Sequence, residues 1–407
     1  MRLSALAAAG LLAASCSPGI EPPGASAALP AHAPDQREAG SVAVPAATAG
    51  RESPHPELPS PIPGAGAPSA AGARPSPNAQ SDHAFCPPDH IIAPARIEVS
   101  QAALRLRQRV QDRSTARFIG GVAVTSQDPR FGGMSGLTID ETGLVRMVSD
   151  AGHWAQARLA FTPEGRFSGL SDVRLAMLKD GSGAPLDGKD DGDGEDIAAV
   201  PAAGAGVFAV SFERRHRVAY YDFAACGVAA PGRHSGGLET PRGVWPNEGA
   251  EGLTTTPDGR LLIAGFERPR NGRVRLAVGP PFADLRLIAA TVPAERGYSL
   301  TALATRARSD DAFDLYALWR KFSVFDGFSA RVTRMRARVA EGAASGAGLR
   351  LGPGSGVLEI AASEGAGNLE GLGLTQAGQH VRLVLVSDNG LSATRATNVL
   401  VFELTDQ

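Results

Sequence analysis

Gly249-Ala250-Glu251-Gly252-Leu253-Thr254-Thr255-Thr256-Pro257-Asp258-Gly259-Arg260-Leu261-Leu262-Ile263-Ala264-Gly265-Phe266-Glu267-Arg268 spells out a strand, a turn and a second strand. Pro presets φ for the turn, Asp bonds the backbone two residues on, and Gly accepts positive φ. Pro-Asp-Gly between two apolar runs therefore predicts a hairpin. Glu251 opens the first run, and Glu267-Arg268 closes the second.

The same plan recurs along the chain. The opening marker stands as Ser135-Gly136-Leu137, Glu195-Asp196-Ile197, Glu251-Gly252-Leu253, Thr301-Ala302-Leu303 and Glu370-Gly371-Leu372. The closing marker stands as Ser149-Asp150, Phe212-Glu213-Arg214, Phe266-Glu267-Arg268, Trp319-Arg320 and Ser387-Asp388-Asn389. Successive copies start 60, 56, 50 and 69 residues apart. A repeat of this length, built from short β-type runs and Gly/Asp turns, predicts an all-β chain folded as a β-propeller. Five repeats are detectable, which fits five or six blades. Equivalent strand ends would converge on one face of the central channel, gathering Glu, Asp and Arg from distant positions into a ring. Gly and Asp also cap turns for purely conformational reasons, so a structural role for these residues stays open.

Upstream of the first copy, Arg96-Ile97-Glu98-Val99 and Phe118-Ile119-Gly120-Gly121-Val122-Ala123-Val124 read as strands, and Asn398-Val399-Leu400-Val401-Phe402-Glu403-Leu404 is another. Propellers usually close by pairing strands from the two ends of the chain, which removes an exposed sheet edge. The N-terminal runs are thus expected to complete the last blade or to form a further one.

The rest of the chain is of a different kind. Residues 17–88 hold 16 of the 30 prolines, and residues 17–84 contain no Phe, Trp or Tyr. Such a segment cannot bury enough apolar area to offset its ordering entropy. The reading is a disordered tether over 17–85 and a propeller over 86–407. Residues 1–16 read as a lipoprotein-type signal segment: Arg2, an apolar run from Leu3 to Ala14, then Ser15-Cys16. Export to the periplasmic side of the envelope is expected, with a lipid anchor on Cys16. Cys86 and Cys226 then remain, an even number in an oxidising compartment, and a disulfide between them is expected. The formal net charge of −2 argues against a nucleic-acid partner. A monomer is expected.

Phe131-Gly132-Gly133-Met134-Ser135-Gly136-Leu137, Val148-Ser149-Asp150, Glu195-Asp196-Ile197, Ser211-Phe212-Glu213-Arg214, Gly249-Ala250-Glu251-Gly252-Leu253 and Asn368-Leu369-Glu370-Gly371-Leu372 together resemble the bacterial phytase-like proteins described as "esterase-like activity of phytase". The resemblance spans nearly the whole folded domain. It implies a propeller, an exported location and hydrolysis of phosphoesters or related esters.

The residues are compatible with that chemistry. Clustered carboxylates cannot all ionise unpaired, and hard oxygen ligands select Ca²⁺. Glu195, Asp196, Glu213, Glu267, Glu370 and Asp388 are the candidate ligands. Arg214, Arg268 and Arg320 can contact a phosphoryl group through two N–H donors each. Glu251, Asp150 and His153 are candidate acid–base residues. Structural ion pairing between blades is the competing reading for Glu213-Arg214 and Glu267-Arg268, a turn histidine stacked on Trp154 for His153, and a solvated surface for His216. Asp187–Asp196 is rich in Asp and Gly but has Lys189 where an EF-hand needs a ligand, so a flexible acidic loop competes with a calcium loop there. No Gly-x-Ser-x-Gly elbow occurs, which disfavours an α/β-type serine hydrolase. A non-catalytic envelope-binding propeller and a gluconolactonase-like lactonase are the alternative functions.

Overall fold

The computed structural model describes residues 94–106, 115–186, 188–234, 237–308, 312–340 and 348–405. They belong to the second of two compact units, Ser76–Gln407. Cys16, the 17–85 segment, Cys86 and Asp187 lie outside the described residues.

Three strands precede the first repeat: β1 (Ala95–Arg96), β2 (Ser100–Ala103) and β3 (Ala116–Thr125). Blade 1 is β4 (Met134–Ile139), β5 (Leu144–Ser149), β6 (His153–Phe161) and β7 (Phe167–Met177). After the short helix α1 (Lys189–Gly192), blade 2 is β8 (Gly194–Ala199), β9 (Val207–Phe212) and β10 (Arg217–Asp222), followed by helix α2 (Phe223–Cys226) and β11 (Arg233–His234). Blade 3 is β12 (Gly252–Thr255), β13 (Leu262–Gly265), β14 (Arg273–Gly279) and β15 (Arg286–Pro293). Blade 4 is β16 (Ser299–Ala307), β17 (Ala312–Ser323), β18 (Gly327–Val339) and β19 (Leu349–Ile360). Blade 5 begins with β20 (Asn368–Ala377), β21 (His380–Asp388) and β22 (Thr397–Leu404).

The two ends of the domain close the ring as expected. Blade 5 has the order β2-β3-β22-β21-β20, so β3 pairs antiparallel with the C-terminal β22. No sixth blade forms among the described residues: β2 extends blade 5, and β1 adds to the outer edge of blade 1. The innermost strands β4, β8, β12, β16 and β20 touch in cyclic order, so they line the central channel.

The core lies between the blades. Each of five apolar clusters sits at one blade–blade junction. Side chains alternate across a strand, so a strand sandwiched between two blades must be apolar on both faces. In β21, Leu383 and Leu385 pack toward blade 4, while Val384 and Val386 pack toward blade 1. All four are fully buried, each contributing roughly 1.5–3 kcal/mol of transfer free energy. The Pro-Asp-Gly hairpin forms as its chemistry requires: Gly259 has φ 70° and its N–H donates to Thr256 O at 2.7 Å, while Thr256 Oγ1 donates to Asp258 Oδ1 at 2.6 Å.

Antiparallel pairing fixes where the repeated markers go. The start of each innermost strand lies beside the end of the second strand, as in Met134↔Ser149, Gly194↔Phe212, Gly252↔Gly265, Ser299↔Arg320 and Asn368↔Asp388. Both marker sets therefore stand at one end of the channel.

Candidate active site

The opening marker is a β-bulge. Register shifts skip one residue of the innermost strand between Met134 and Gly136, Gly194 and Asp196, Leu300 and Ala302, and Leu369 and Gly371. The residues skipped are Ser135, Glu195, Thr301 and Glu370. In blade 3, Glu251 directly precedes β12. A bulge leaves one residue out of the ladder and re-aims its side chain. The small residue that follows allows the strands to meet around the narrow axis: a Cβ on Gly136 would lie 2.4 Å from Asp196 Cα.

Asp196 is different from its neighbours in the marker. Its carboxylate is fully buried and turns to the channel wall, where Oδ1 accepts from Ile197 N–H (2.8 Å) and Oδ2 from Leu253 N–H (2.7 Å). Burial raises its pKa well above the usual carboxylate range, against the backbone N–H groups of Leu253, Ile197, Leu303 and Leu137. Those four residues hold equivalent positions in blades 3, 2, 4 and 1. Asp196 is engaged by the backbone, pinning innermost strands together.

The remaining acidic residues form the mouth. Glu195, Glu213, Glu251, Glu267 and Glu370 are all buried, as are Asp193 and Glu248. Burial raises Glu195 well above its ordinary pKa, reinforced by Glu251, Glu213, Asp193 and Glu370. Glu251 is raised likewise by burial and then by Glu267, with Arg320 opposing. Burial also lifts Asp193 and Asp388, and pushes Glu213 up to about 7. One backbone contact holds Glu213: Oε1 accepts from Gly249 N–H at 3.0 Å.

Arg320 is the central cation. It bonds Glu370 of blade 5, reaches Glu267 Oε1 of blade 3 at 3.2 Å, and donates to Asn368 Oδ1 at 3.1 Å. Asn368 in turn donates to Glu370 Oε1 (2.8 Å) and Asp388 Oδ2 (3.3 Å). Glu370 stays raised by burial even though Arg320 opposes it. Lys189, on α1, bonds Asp150 Oδ2 at 2.7 Å and lies 3.6 Å from Asp193 Oδ1.

Of the other two arginines, Arg268 shares Glu267 with Arg320, its Nε 3.9 Å from Oε2, while Arg214 pairs elsewhere. Arg214, held at φ 52°, pairs with Asp193 (2.9 Å), and the exposed Arg268 pairs with Glu248 (2.9 Å). His153 is buried at the start of β6, and burial lowers its pKa. Its Nδ1 and Asp150 Oδ1 have no hydrogen-bond partner among the described residues. The Trp154 ring packs against Phe223, with centroids 4.8 Å apart. His216 is half-buried, contrary to its reading as a solvated residue, and its pKa is lowered by burial. Within the acidic loop, Asp191 and Asp193 pair with Arg215 and Arg214.

Asp193, Glu195 and Glu213 can each offer a carboxylate oxygen within 4.8 Å of the others'. The set is all oxygen and buried, which suits a hard cation such as Ca²⁺. Glu195 and Glu213 were legible as members of this cluster from the repeat. Asp193 was not, because it precedes the marker; its Asp/Gly-rich surroundings were the available signal. Asn368 and Glu248 were also missed, as neither recurs between blades.

A family model described as phytase-like, esterase-like activity of phytase, matches residues 129–391, which includes every mouth residue named above. The chain belongs to the phytase-like family. Among curated proteins, none matches this phytase-like chain. Solved structures similar to it share little sequence. The major allergen Mala s 1 of Malassezia sympodialis is 14% identical, with TM-score 0.36, over 74% of this chain and 92% of its own. A protein of unknown function from Dyadobacter fermentans is 12% identical, with TM-score 0.33, over 77% and 97%. The α-L-arabinofuranosidase PaAbf62A of Podospora anserina is 9% identical, with TM-score 0.37, over 76% and 98%.

Proposed function

We propose that this phytase-like propeller hydrolyses phosphoesters or related esters at the acidic end of its channel, with Ca²⁺ held by Asp193, Glu195 and Glu213. The observation that carries the reading is the convergence of these three buried carboxylates, with Arg320, which joins blades 3 and 5, near enough to Glu195 for their charges to interact. Ca²⁺ bound there would supply Lewis-acid polarisation of the ester oxygen. Arg320 offers a planar donor fork to a phosphoryl or carbonyl oxygen. Glu251 stands beside Glu267, Glu370 and Arg320, and its raised proton affinity suits it to take a proton from an attacking water. Once protonated, Glu251 can return that proton to the leaving group. Asp150 and His153 flank the opening, where the imidazole, kept neutral by burial, can accept a proton as a second base. Export, with Cys16 as lipid anchor, belongs to the same reading, and metabolic labelling with a fatty acid tests it through Cys16→Ser.

The decisive experiment measures the melting temperature with Ca²⁺ and with chelator, alongside a panel of phosphoester and carboxylester substrates. A ligand that binds only the folded state stabilises it. Glu195→Gln is expected to lose both the Ca²⁺ shift and hydrolysis. Glu251→Gln is expected to lose hydrolysis and keep the Ca²⁺ shift. A wild type without any Ca²⁺ response refutes the metal, and one inert on every substrate refutes the hydrolase.

A further inference from the structure

Five of the seven exposed large apolar residues among those described lie at the mouth end of the propeller: Trp245, Phe322, Val324, Phe325 and Leu391. Blade 4 explains three of them. The second strands of blades 1, 2, 3 and 5 stop at Ser149, Phe212, Gly265 and Asp388, but β17 continues past Arg320 through three more residue pairs, Lys321↔Ser329, Phe322↔Phe328 and Ser323↔Gly327. At about 3.3 Å per residue the hairpin rises roughly 10 Å above Arg320. The Phe322 and Phe328 rings pair at 4.8 Å, and Val324 and Phe325 at the tip are 80% and 93% exposed.

Trp245 and Leu391 carry the same character to other sides of the opening. The Trp245 N–H donates to Glu248 Oε2 at 3.4 Å, and its neighbour Pro246 accepts from the Arg214 N–H at 2.8 Å. Leu391 has φ 52°, and a Cβ on Gly133 would meet both Leu391 Cγ at 3.2 Å and Asp150 Oδ1 at 2.2 Å, so the two side chains lie close together. Exposed apolar side chains thus flank mouth residues in blade 4, in the loop between blades 2 and 3, and where blade 5 meets blade 1. Scattered apolar residues need no explanation, but a set gathered at one functional opening marks a contact surface.

We infer that this rim receives the apolar body of an amphiphilic ester or phosphoester whose polar head enters the acidic mouth. The inference rests on the hydrolase reading above and names its substrate class. Each apolar group adjoins a mouth residue, Trp245 through Glu248, the blade 4 hairpin through Arg320 and Leu391 beside Asp150, which fits one molecule spanning rim and mouth.

The test is calorimetric and does not depend on turnover. The full chain in Ca²⁺ is titrated with dodecylphosphonate, below its aggregation threshold, and with methylphosphonate. The dodecyl compound is expected to bind at least about tenfold more tightly, because its chain leaves water. In Val324→Ser/Phe325→Ser, and separately in Trp245→Ser, that preference should fall to within about threefold. Both changes are at exposed positions, and an unchanged melting temperature verifies the fold. Equal affinity for the two phosphonates in wild type, or a preference that survives both variants, overturns the inference and leaves the mouth reading standing. Failure to bind either phosphonate overturns both. Flotation of wild type, but not of the variants, with phosphatidylcholine vesicles would reassign the rim to a lipid surface and also overturns it.

Discussion

Lys189 Nζ lies 2.7 Å from Asp150 Oδ2, so a side chain leading into blade 2 is bonded to the closing marker of blade 1. The ammonium sits among Asp150, Asp193 and Glu195, and those charges hold its pKa up against burial. It is a built-in cation beside the proposed metal ligands. Lys189→Met should therefore lower the melting temperature in chelator and widen the gain produced by Ca²⁺. Equal Ca²⁺ shifts in the two proteins would show that Lys189 does not share the site.

Arg320, in blade 4, joins charge from blades 3 and 5: it bonds Glu267 and Glu370, and Glu251 favours its charged state. Removing one partner of a buried ion pair costs about 3–5 kcal/mol, because the other charge is left unpaired. Arg320→Met should show a loss of that order in urea denaturation without Ca²⁺. Arg320→Lys should recover only part of it, since an ammonium cannot present the planar fork that spans both carboxylates. Full recovery with Lys would mean that charge alone suffices.

Acid should stabilise this end of the molecule. Glu195, Glu251 and Glu370 bind protons more tightly folded than unfolded, and Glu213 is pushed up to about 7. Their contribution is complete below the unfolded carboxylate pKa of about 4.3 and is lost as pH rises through the folded values. In chelator the melting temperature should fall between pH 5 and about pH 8, and Ca²⁺ should flatten that fall. A chelated protein whose melting temperature is level across this range would contradict the assignment.

Cys226 ends α2 and is a buried half-cystine, whereas Cys16 and Cys86 lie outside the described residues. Pairing with Cys86 is the expected bridge. Non-reducing peptide mapping should recover the Cys86–Cys226 cross-link, and Cys226→Ser should cost about 2–4 kcal/mol of stability. Recovery of Cys86 as a free thiol would exclude the pairing.

The fold was legible because two levels of pattern agree. Apolar runs such as Leu383–Val386 signal strands, and the markers that bracket them recur at blade length. Much of the mouth was legible for the same reason, since Glu195, Glu251 and Glu370 hold one repeat position and Glu213, Glu267 and Arg320 hold the other. What escaped was whatever breaks the symmetry. Asp193 and Lys189 come from an insertion peculiar to blade 2, and Asn368 precedes its marker. Asp196 looked like a ligand, because nothing in the sequence indicates that its carboxylate accepts backbone N–H groups from neighbouring blades.

Blade 5 is assembled from β2 and β3 at one end of the domain and β20 to β22 at the other. A chain emerging from its N-terminal end presents β3 long before β22 exists to pair with it, nearly three hundred positions later. Blades 1 to 4 can each form from local hairpins, but the ring becomes topologically complete only with the final strand. Joining such distant segments is entropically slow. Until then the innermost strands form an open arc whose two end blades expose apolar faces to aggregation. The acidic mouth is assembled in the same event, because Glu370 and Asp388 arrive with blade 5. The candidate site and the finished ring therefore come into being together, late and all at once.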